Sequence, residues 1–232
     1  SFYLTALHEF TLLWKDVEAE MKPEFNRWRE NLMLVYGYEP GYELFMTHTY
    51  LINLVKLIVY FNLRKDSGKV KQDEIIDAVD GEYFRSYGIS NFTEKDFSTW
   101  LLHPKVAKRS SGLLFELAKG LSNYDISYIS EDLFKEIYEE AIPRGERHKA
   151  GEYYTPEWLV QLMLLEALQL WKRENSGFPR ILDPACGSGS FLYNAIHLIK
   201  ENLQHKNMTN EEITDFIIRN IVGMDINPIA SI

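Results

Sequence analysis

The chain of 232 residues carries 34 Asp plus Glu against 25 Lys plus Arg, a net charge of −9, and one cysteine. The single thiol excludes a disulfide-stabilised scaffold and is typical of a reducing cytoplasm, while the length admits two domains, since domains commonly run to roughly 100–200 residues. The acidic balance argues against a free-standing nucleic-acid binder, which needs a basic face to neutralise phosphates. Any contact with DNA is therefore expected to be local or to be made outside this chain.

The first 142 residues are predicted to be largely helical. Apolar side chains recur at helical spacing through residues 1–35, and Pro23 is predicted to divide this region into two helices. The last helix of this part is predicted to begin at a cap on Ser130 and to stop at Pro143.

A strongly apolar helix is predicted over Tyr42–Leu63, after a break at residues 36–41 that contains two glycines and a proline. Polar side chains interrupt it at His48, Asn53 and Lys56. We therefore interpret it as a buried helix rather than a membrane span, and His48 as a core histidine. No membrane association is predicted.

A short basic segment follows, in which Arg144, Arg147, His148 and Lys149 lie among small residues. Polar, Gly-containing connectors of this kind are usually solvated linkers, and we favour that reading. The alternative is a mobile loop near an anionic ligand. In either case the composition changes here, so we predict a helical domain over residues 1–143 and a second domain over residues 144–232.

The second domain is predicted to alternate helices and strands. Thr155 is expected to be the N-cap of its first helix, with Pro156 at the first helical position. The further elements are a strand at residues 180–183, a glycine turn at 184–189, a helix at 190–203, a helix opened by a capping box of Thr209 and Glu212, and a strand at 221–225. This order is typical of an α/β unit with parallel strands.

The glycine turn predicts a ligand that approaches the backbone closely, because glycine leaves the N–H groups and the helix start unobstructed. Dinucleotide binding is disfavoured, since the third position of the Gly-x-Gly-x-x-Gly pattern is Leu192 and the next strand-end acid comes too late. A phosphate-binding loop is disfavoured as well, because no Lys-Ser or Lys-Thr pair follows the glycines.

An acid is predicted at the end of each strand, Asp183 on the first and Asp225 on the second. Asp183 could attract an ammonium group, and Asp225 could accept hydrogen bonds from both hydroxyls of a ribose. Ile226 is placed to pack against an adenine face. A ligand with a cationic amino-acid end, a ribose and no phosphate is S-adenosylmethionine.

Three runs of the sequence resemble those of the N6-adenine DNA methyltransferases of restriction-modification systems, in particular the type I modification subunits and the fused type IIG enzymes. The runs are Gly151-Glu152-Tyr153-Tyr154-Thr155-Pro156, then Asp183-Pro184-Ala185-Cys186-Gly187-Ser188-Gly189-Ser190-Phe191-Leu192, then Gly223-Met224-Asp225-Ile226-Asn227-Pro228. The helical segment ahead of them is similar to the N-terminal helical domain of that family.

The resemblance implies an α/β fold class: an N-terminal α-helical domain followed by the first part of a Rossmann-like, S-adenosylmethionine-dependent methyltransferase domain. It also implies which residues hold the cofactor. Carried over to this sequence they are Tyr154, Thr155, Asp183, Pro184, Ala185, Gly187, Gly189, Asp225 and Ile226.

The catalytic motif of that family does not occur in the sequence. The motif is Asn or Asp, then Pro-Pro, then an aromatic residue that stacks on the flipped base. The pair Asn227-Pro228 is followed by Ile229 and belongs to the cofactor-side motif. We therefore expect the chain to stop before the catalytic strand, to carry no catalytic residue of its own and to show no methylation alone.

The predicted activity is adenine-N6 methylation of DNA, with duplex DNA contacted largely outside this chain and a specificity subunit or target-recognition domain as a possible partner. Two alternatives stay open: a methyltransferase that acts on RNA or protein, and a non-catalytic helical assembly module. No metal site is predicted, because no Cys and His cluster has ligand spacing. Cys186 is interpreted as a small turn residue, and the protein is expected to be cytoplasmic.

Overall fold

The chain divides into two compact units, residues 1–150 and 151–231, which we call the helical unit and the α/β unit. The computed structural model describes residues 2–64, 69–93, 96–124, 133–142, 145, 147, 155–227 and 229.

The helical unit consists of α-helices joined by short turns, as the sequence predicts. Among the described residues its helices include α1 (Phe2–Trp14), α2 (Glu18–Tyr36), α3 (Tyr42–Leu63), α4 (Gln72–Asp80), α5 (Glu82–Arg85), α6 (Ala107–Leu121) and α7 (Leu133–Ala141), with 3₁₀ turns at Ser90–Phe92 and Phe97–Leu102. The bounds of α3 agree with the prediction. The Ser130 cap predicted for α7 lies outside the described residues.

The first helical region is divided before Pro23, not at it. Val17 donates its N–H to the Trp14 carbonyl at 3.0 Å in a tight turn, and α2 then begins at Glu18 and continues through Pro23. At this sixth position of α2 proline removes the hydrogen bond to the Ala19 carbonyl, but its φ is compatible with a helix, and the burial of Phe25 and Trp28 beyond it stabilises a continuous helix. The prediction of a break at Pro23 was wrong for this reason.

The core of the helical unit is rich in aromatic side chains. Trp14 makes edge-on contacts with Phe45 and Trp100, at ring-centroid distances of 5.0 and 5.2 Å. Helix α3 is long and apolar enough to cross a membrane, but most of it is buried inside this unit. The prediction that it is a buried helix is confirmed.

His48 lies at the centre of this core. Its Nδ1 accepts a hydrogen bond from Trp28 Nε1 at 3.3 Å, while its Nε2 has no partner among the described residues. Burial lowers the pKa of His48 to about 3, so the ring stays neutral in the folded chain. The interpretation of His48 as a core histidine is confirmed.

We expect the free energy of unfolding to fall as the pH is lowered below about 6.5, because the unfolded chain then protonates His48 and the folded chain does not. The free energy of unfolding is expected to fall by about 1.4 kcal/mol for each pH unit below this value, or by about 2 kcal/mol at pH 5. His48→Asn keeps an acceptor for Trp28 and cannot titrate. Denaturant unfolding of both chains between pH 7.5 and 5 should therefore give a shallower pH slope for the variant, and equal slopes would contradict this assignment.

The α/β unit begins with a helix that starts one residue later than predicted. Helix α8 spans Glu157–Glu174, so Pro156 takes the N-cap position and Thr155 precedes it. No side chain of the described residues caps α8. Because helix ends shift by one or two residues between descriptions, the helix itself is confirmed while the capping role of Thr155 is not.

The strands of this unit form a small parallel sheet. The remaining elements are β1 (Ile181–Asp183), α9 (Ser190–Gln204), α10 (Asn210–Asn220) and β2 (Ile221–Gly223). β1 pairs with β2 in parallel, with Ile181 opposite Ile221 and Asp183 opposite Gly223. The capping box predicted at the start of α10 is present, with both of its hydrogen bonds.

Helices pack on one face of the sheet through Ile181. This side chain contacts a cluster of Val160, Leu164 and Ala195, which joins α8 to α9, and a second cluster around Ile199 that joins α9 to α10. The described elements therefore give a strand, turn, helix and strand order with parallel strands. Two strands confirm the predicted α/β unit, while the larger Rossmann-like sheet stays a prediction.

Candidate functional site

The predicted site lies where β1 and β2 end. Asp183 is the last residue of β1, as predicted. β2 ends at Gly223, so Asp225 lies two residues beyond the strand rather than on its last position. Because the strands are parallel, both acids still lie at the same edge of the sheet.

Backbone hydrogen bonds continue past the last strand residues and hold the glycine turn against the segment after β2. The Met224 N–H donates to the Asp183 carbonyl at 2.8 Å, and the Cys186 N–H donates to the Met224 carbonyl at 2.9 Å. The positions of the turn and of Asp225 are therefore coupled through the main chain.

The turn adopts a conformation that requires glycine at two positions. Gly187 has φ +53° and Gly189 has φ +89°, both in the left-handed region that side chains disfavour. A Cβ added to Gly187 would have no described atom within 4 Å, so open space lies above the backbone there. Asp183 Oδ1 accepts the Ala185 N–H at 3.2 Å and fixes the start of the turn.

The Asp225 carboxylate is bound by two backbone N–H groups. Its Oδ2 accepts the Gly187 N–H at 2.7 Å, and its Oδ1 accepts the Asn227 N–H at 2.8 Å. Each carboxylate oxygen can accept a second hydrogen bond, so two acceptor positions remain. The carboxylate is thus fixed in orientation and still able to bind two hydroxyl groups.

Helix α9 begins at the end of the turn without a side-chain cap. Gly189 is its N-cap and provides no side-chain acceptor, and no hydrogen bond from a described residue caps the first turn, whose N–H groups can therefore bind solvent or a ligand. The positive end of the helix lies at the same place. This is the arrangement in which a backbone cradle holds a carboxylate or another polar group.

Two carboxylates give the site a negative charge. Burial of Cys186, and after it the charges of Asp225 and Asp183, raise the pKa of its thiol. The thiol therefore stays protonated at neutral pH, which disfavours a role as nucleophile and supports its interpretation as a turn residue. The same charges favour a cationic ligand over a phosphate.

The other predicted site residues are distributed around this turn. Pro184 and Ala185 are exposed within it, and Ile226 presents 73% of its surface to solvent just beyond Asp225. Thr155 lies before α8, and within the described part of the chain no hydrogen bond joins it to the turn. Tyr154 lies outside the described residues. No metal-binding group of His, Cys, Asp and Glu occurs among the residues that were described.

The sequence placed Asn227 and Gly223 in the third run but assigned neither of them a contact in the site. Asn227 donates its N–H to Asp225 and accepts the Ile229 N–H on its own Oδ1 at 3.0 Å. Asn227 follows Asp225 by two residues, a spacing typical of a turn in which an Asp side chain accepts a backbone N–H. The sequence therefore contained a signal for this contact. Gly223 packs against the turn, and only the three-dimensional contacts reveal it.

Comparison with known proteins agrees with the resemblance. Residues 129–230 match the sequence family described as N-6 DNA Methylase. The type I restriction enzyme MjaVII methylase subunit of Methanocaldococcus jannaschii is 32% identical over 92 residues, which is 39% of this chain and 15% of that protein. No solved structure matches the chain significantly.

These matches confirm the resemblance to N6-adenine DNA methyltransferases of the restriction-modification type for this part of the chain. They cover the turn, both acids and the segment around Asn227. The matched stretch is a small part of the relative, so they apply to the site and not to a whole protein.

Proposed function

We propose, from the match of residues 129–230 to N6-adenine DNA methyltransferases, that this chain binds S-adenosylmethionine for the methylation of adenine in DNA. In this proposal the α/β unit is the first part of the methyltransferase domain and the helical unit is the N-terminal domain that precedes it. The proposed domain boundary is the one expected from composition, residues 1–143 and 144–232.

The observation that carries the proposal is the pair of carboxylates beside an uncapped glycine turn. Asp225 is oriented by Gly187 and Asn227 and keeps two acceptor positions, which suits the two hydroxyls of a ribose. Asp183 adds a second negative charge at the same edge, which suits an ammonium group. A nucleotide phosphate would be repelled by both.

Each predicted residue has a role in this proposal. The backbone of Gly187 and Gly189 holds the methionine part, Asp183 attracts its ammonium group and Asp225 binds the ribose. Ile226 is exposed and free to pack against the adenine ring. Pro184 and Ala185 shape the turn, and the segment of Tyr154 and Thr155 is assigned to the methionine part by the resemblance alone.

The bound cofactor would supply a methyl group already activated by its sulfonium. The leaving group would then be a neutral thioether, so the transfer would need no covalent enzyme intermediate. This chain contributes alignment of the donor, which is a large part of such catalysis. The groups that bind the flipped adenine are assigned to the rest of the polypeptide, since the 232 residues lack the Asn/Asp-Pro-Pro-aromatic motif.

The relative is named as a methylase subunit of a type I restriction enzyme. We extend this to the present chain by proposing that it works with duplex DNA and with a specificity subunit or target-recognition domain, in the cytoplasm. The net charge of −9 agrees with DNA contacts that lie mainly outside these residues.

We expect Asp225→Ala, in the polypeptide that contains this chain, to weaken S-adenosylmethionine binding by about 1.5–3 kcal/mol, the range for hydrogen bonds to a charged group. That is about 10- to 150-fold in Kd, measurable by calorimetry. Asp225→Asn should also weaken binding, because the NH₂ group that replaces one oxygen cannot accept the hydrogen bond that this oxygen takes from Gly187 or Asn227, nor one from the ribose.

Asp215 provides the matched control. It lies on α10, is exposed and pairs with Arg219 at 3.3 Å on the surface. Asp215→Ala removes the same charge from the same unit, so it should leave the Kd unchanged. Equal affinities of Asp225→Ala and the native protein would remove Asp225 from the site.

A further inference from the structure

Gly223, the last residue of β2, lies against two side chains of the glycine turn and α9. A Cβ added to Gly223 would lie 2.3 Å from Leu192 Cδ1, 3.1 Å from Cys186 Sγ and 3.3 Å from Cys186 Cβ. These distances are shorter than ordinary van der Waals contacts. Gly223 does not have a positive φ, so glycine is required here for space and not for backbone conformation.

Leu192 explains why space is needed at this position. It occupies the third position of the Gly-x-Gly-x-x-Gly pattern, where glycine in dinucleotide-binding proteins lets the helix pack closely on the strand. Here that position carries a side chain, whose Cδ1 reaches Gly223. In dinucleotide-binding proteins a glycine on the helix provides this space, whereas here Gly223 on the neighbouring strand β2 provides it.

We propose that Gly223 is a positioning residue for the site, and that it acts by accommodating Leu192 and Cys186 beneath the turn. This inference rests on the proposed function for its ligand. Cys186 precedes Gly187, whose N–H binds Asp225 at 2.7 Å, and the Cys186 N–H binds the Met224 carbonyl beside Gly223. A methyl group at Gly223 therefore displaces the segment that aligns Gly187 with the Asp225 carboxylate.

Gly223→Ala in the polypeptide that contains this chain is the direct test. Leu192 can turn its terminal methyl away, whereas Cys186 is held by the backbone, so a displacement of a few tenths of an ångström in the turn is expected. Because the displacement weakens the hydrogen bond that orients Asp225, we expect about a tenfold rise in the Kd for S-adenosylmethionine, the low end of the range for losing a hydrogen bond to a charged group. Gly112→Ala on α6 is the control, because a Cβ there would have no described atom within 4 Å, and it should leave the Kd unchanged.

Cys186→Ala separates positioning from general damage. In this background the contact with Sγ at 3.1 Å is gone, so Gly223→Ala should raise the Kd by less than about threefold. A Kd for Gly223→Ala within twofold of the native protein would overturn the proposal. An equal loss in both backgrounds would overturn it too, because the effect would then not pass through Cys186.

A second measurement needs no ligand. The alkylation rate of Cys186, followed by mass spectrometry of its peptide, should rise severalfold in Gly223→Ala, since the added methyl group displaces the thiol from its packing. If the native protein fails to bind S-adenosylmethionine, the proposed function fails while this measurement still decides the role of Gly223. An unchanged alkylation rate in Gly223→Ala would overturn that role.

Discussion

Asp96→Ala is expected to lower the free energy of unfolding of the helical unit by about 3–5 kcal/mol, the range for removing one partner of a buried ion pair. Lys56 is buried in α3, with 1% of its side chain exposed, and its Nζ lies 2.7 Å from Asp96 Oδ2. The ammonium also donates to the Val79 carbonyl at 2.8 Å. Without Asp96, the buried positive charge would keep this neutral acceptor as its one partner among the described residues.

Asp96 has a second role that contributes to the expected loss. Its Oδ1 accepts the Ser98 N–H at 2.7 Å and so caps the 3₁₀ turn Phe97–Leu102. Loss of an N-cap typically costs about 1 kcal/mol. Asp96→Asn keeps a side-chain oxygen for this cap and removes the charge, so the difference between the Asn and Ala variants estimates the contribution of the cap.

Denaturant unfolding of a double variant separates the ion pair from the fold around it. Lys56→Met combined with Asp96→Ala removes both charges, and we expect it to be more stable than Asp96→Ala alone, because no unpaired charge remains buried. Glu116→Ala breaks the exposed pair with Lys119 and should cost less than about 0.5 kcal/mol. A similar small loss for Asp96→Ala would contradict the assigned role of Lys56.

Local sequence patterns were enough to predict most of the helices. The apolar run of α3 gave its bounds, Tyr42–Leu63, and the Thr209–Glu212 pair gave the start of α10. Both depend on interactions within a few residues, which periodicity and capping rules describe. Pro23 misled the prediction because a helix continues through a proline where tertiary packing compensates for the lost hydrogen bond, and the burial of Phe25 and Trp28 in the core is not specified by local sequence.

The site was predictable in its residue types but not in its hydrogen bonds. Asp183, the glycine turn and Asp225 were expected at one edge of a parallel sheet. The bond from Gly187 to Asp225 joins residues 38 apart in sequence, and no local rule specifies it. The same holds for Lys56, which the sequence shows only as a polar interruption in an apolar helix, because its partner Asp96 lies 40 residues away.

Gly81→Ala is expected to destabilise the helical unit by about 3–5 kcal/mol, a size that requires a specific steric cause. Gly81 is buried between α4 and α5 with φ +89°. A left-handed conformation alone costs a non-glycine residue about 1–2 kcal/mol. In addition, an added Cβ would lie 1.8 Å from the Phe92 carbonyl oxygen and 2.8 Å from its carbon. These are backbone atoms, which cannot rotate away as a side chain can.

Gly88 is the matched control for the cost of placing alanine in a left-handed backbone conformation. Its φ is +70°, and a Cβ added there would have no described atom within 4 Å, so Gly88→Ala carries the conformational cost without the overlap. Thermal or denaturant unfolding should therefore show a loss of about 1–2 kcal/mol for Gly88→Ala and a clearly larger one for Gly81→Ala. The difference measures the contact between the α4–α5 turn and the Ser90–Phe92 segment. Equal losses in the free energy of unfolding would show that the Phe92 backbone moves away from the added methyl group at no cost. Gly81 would then be required for its backbone conformation alone.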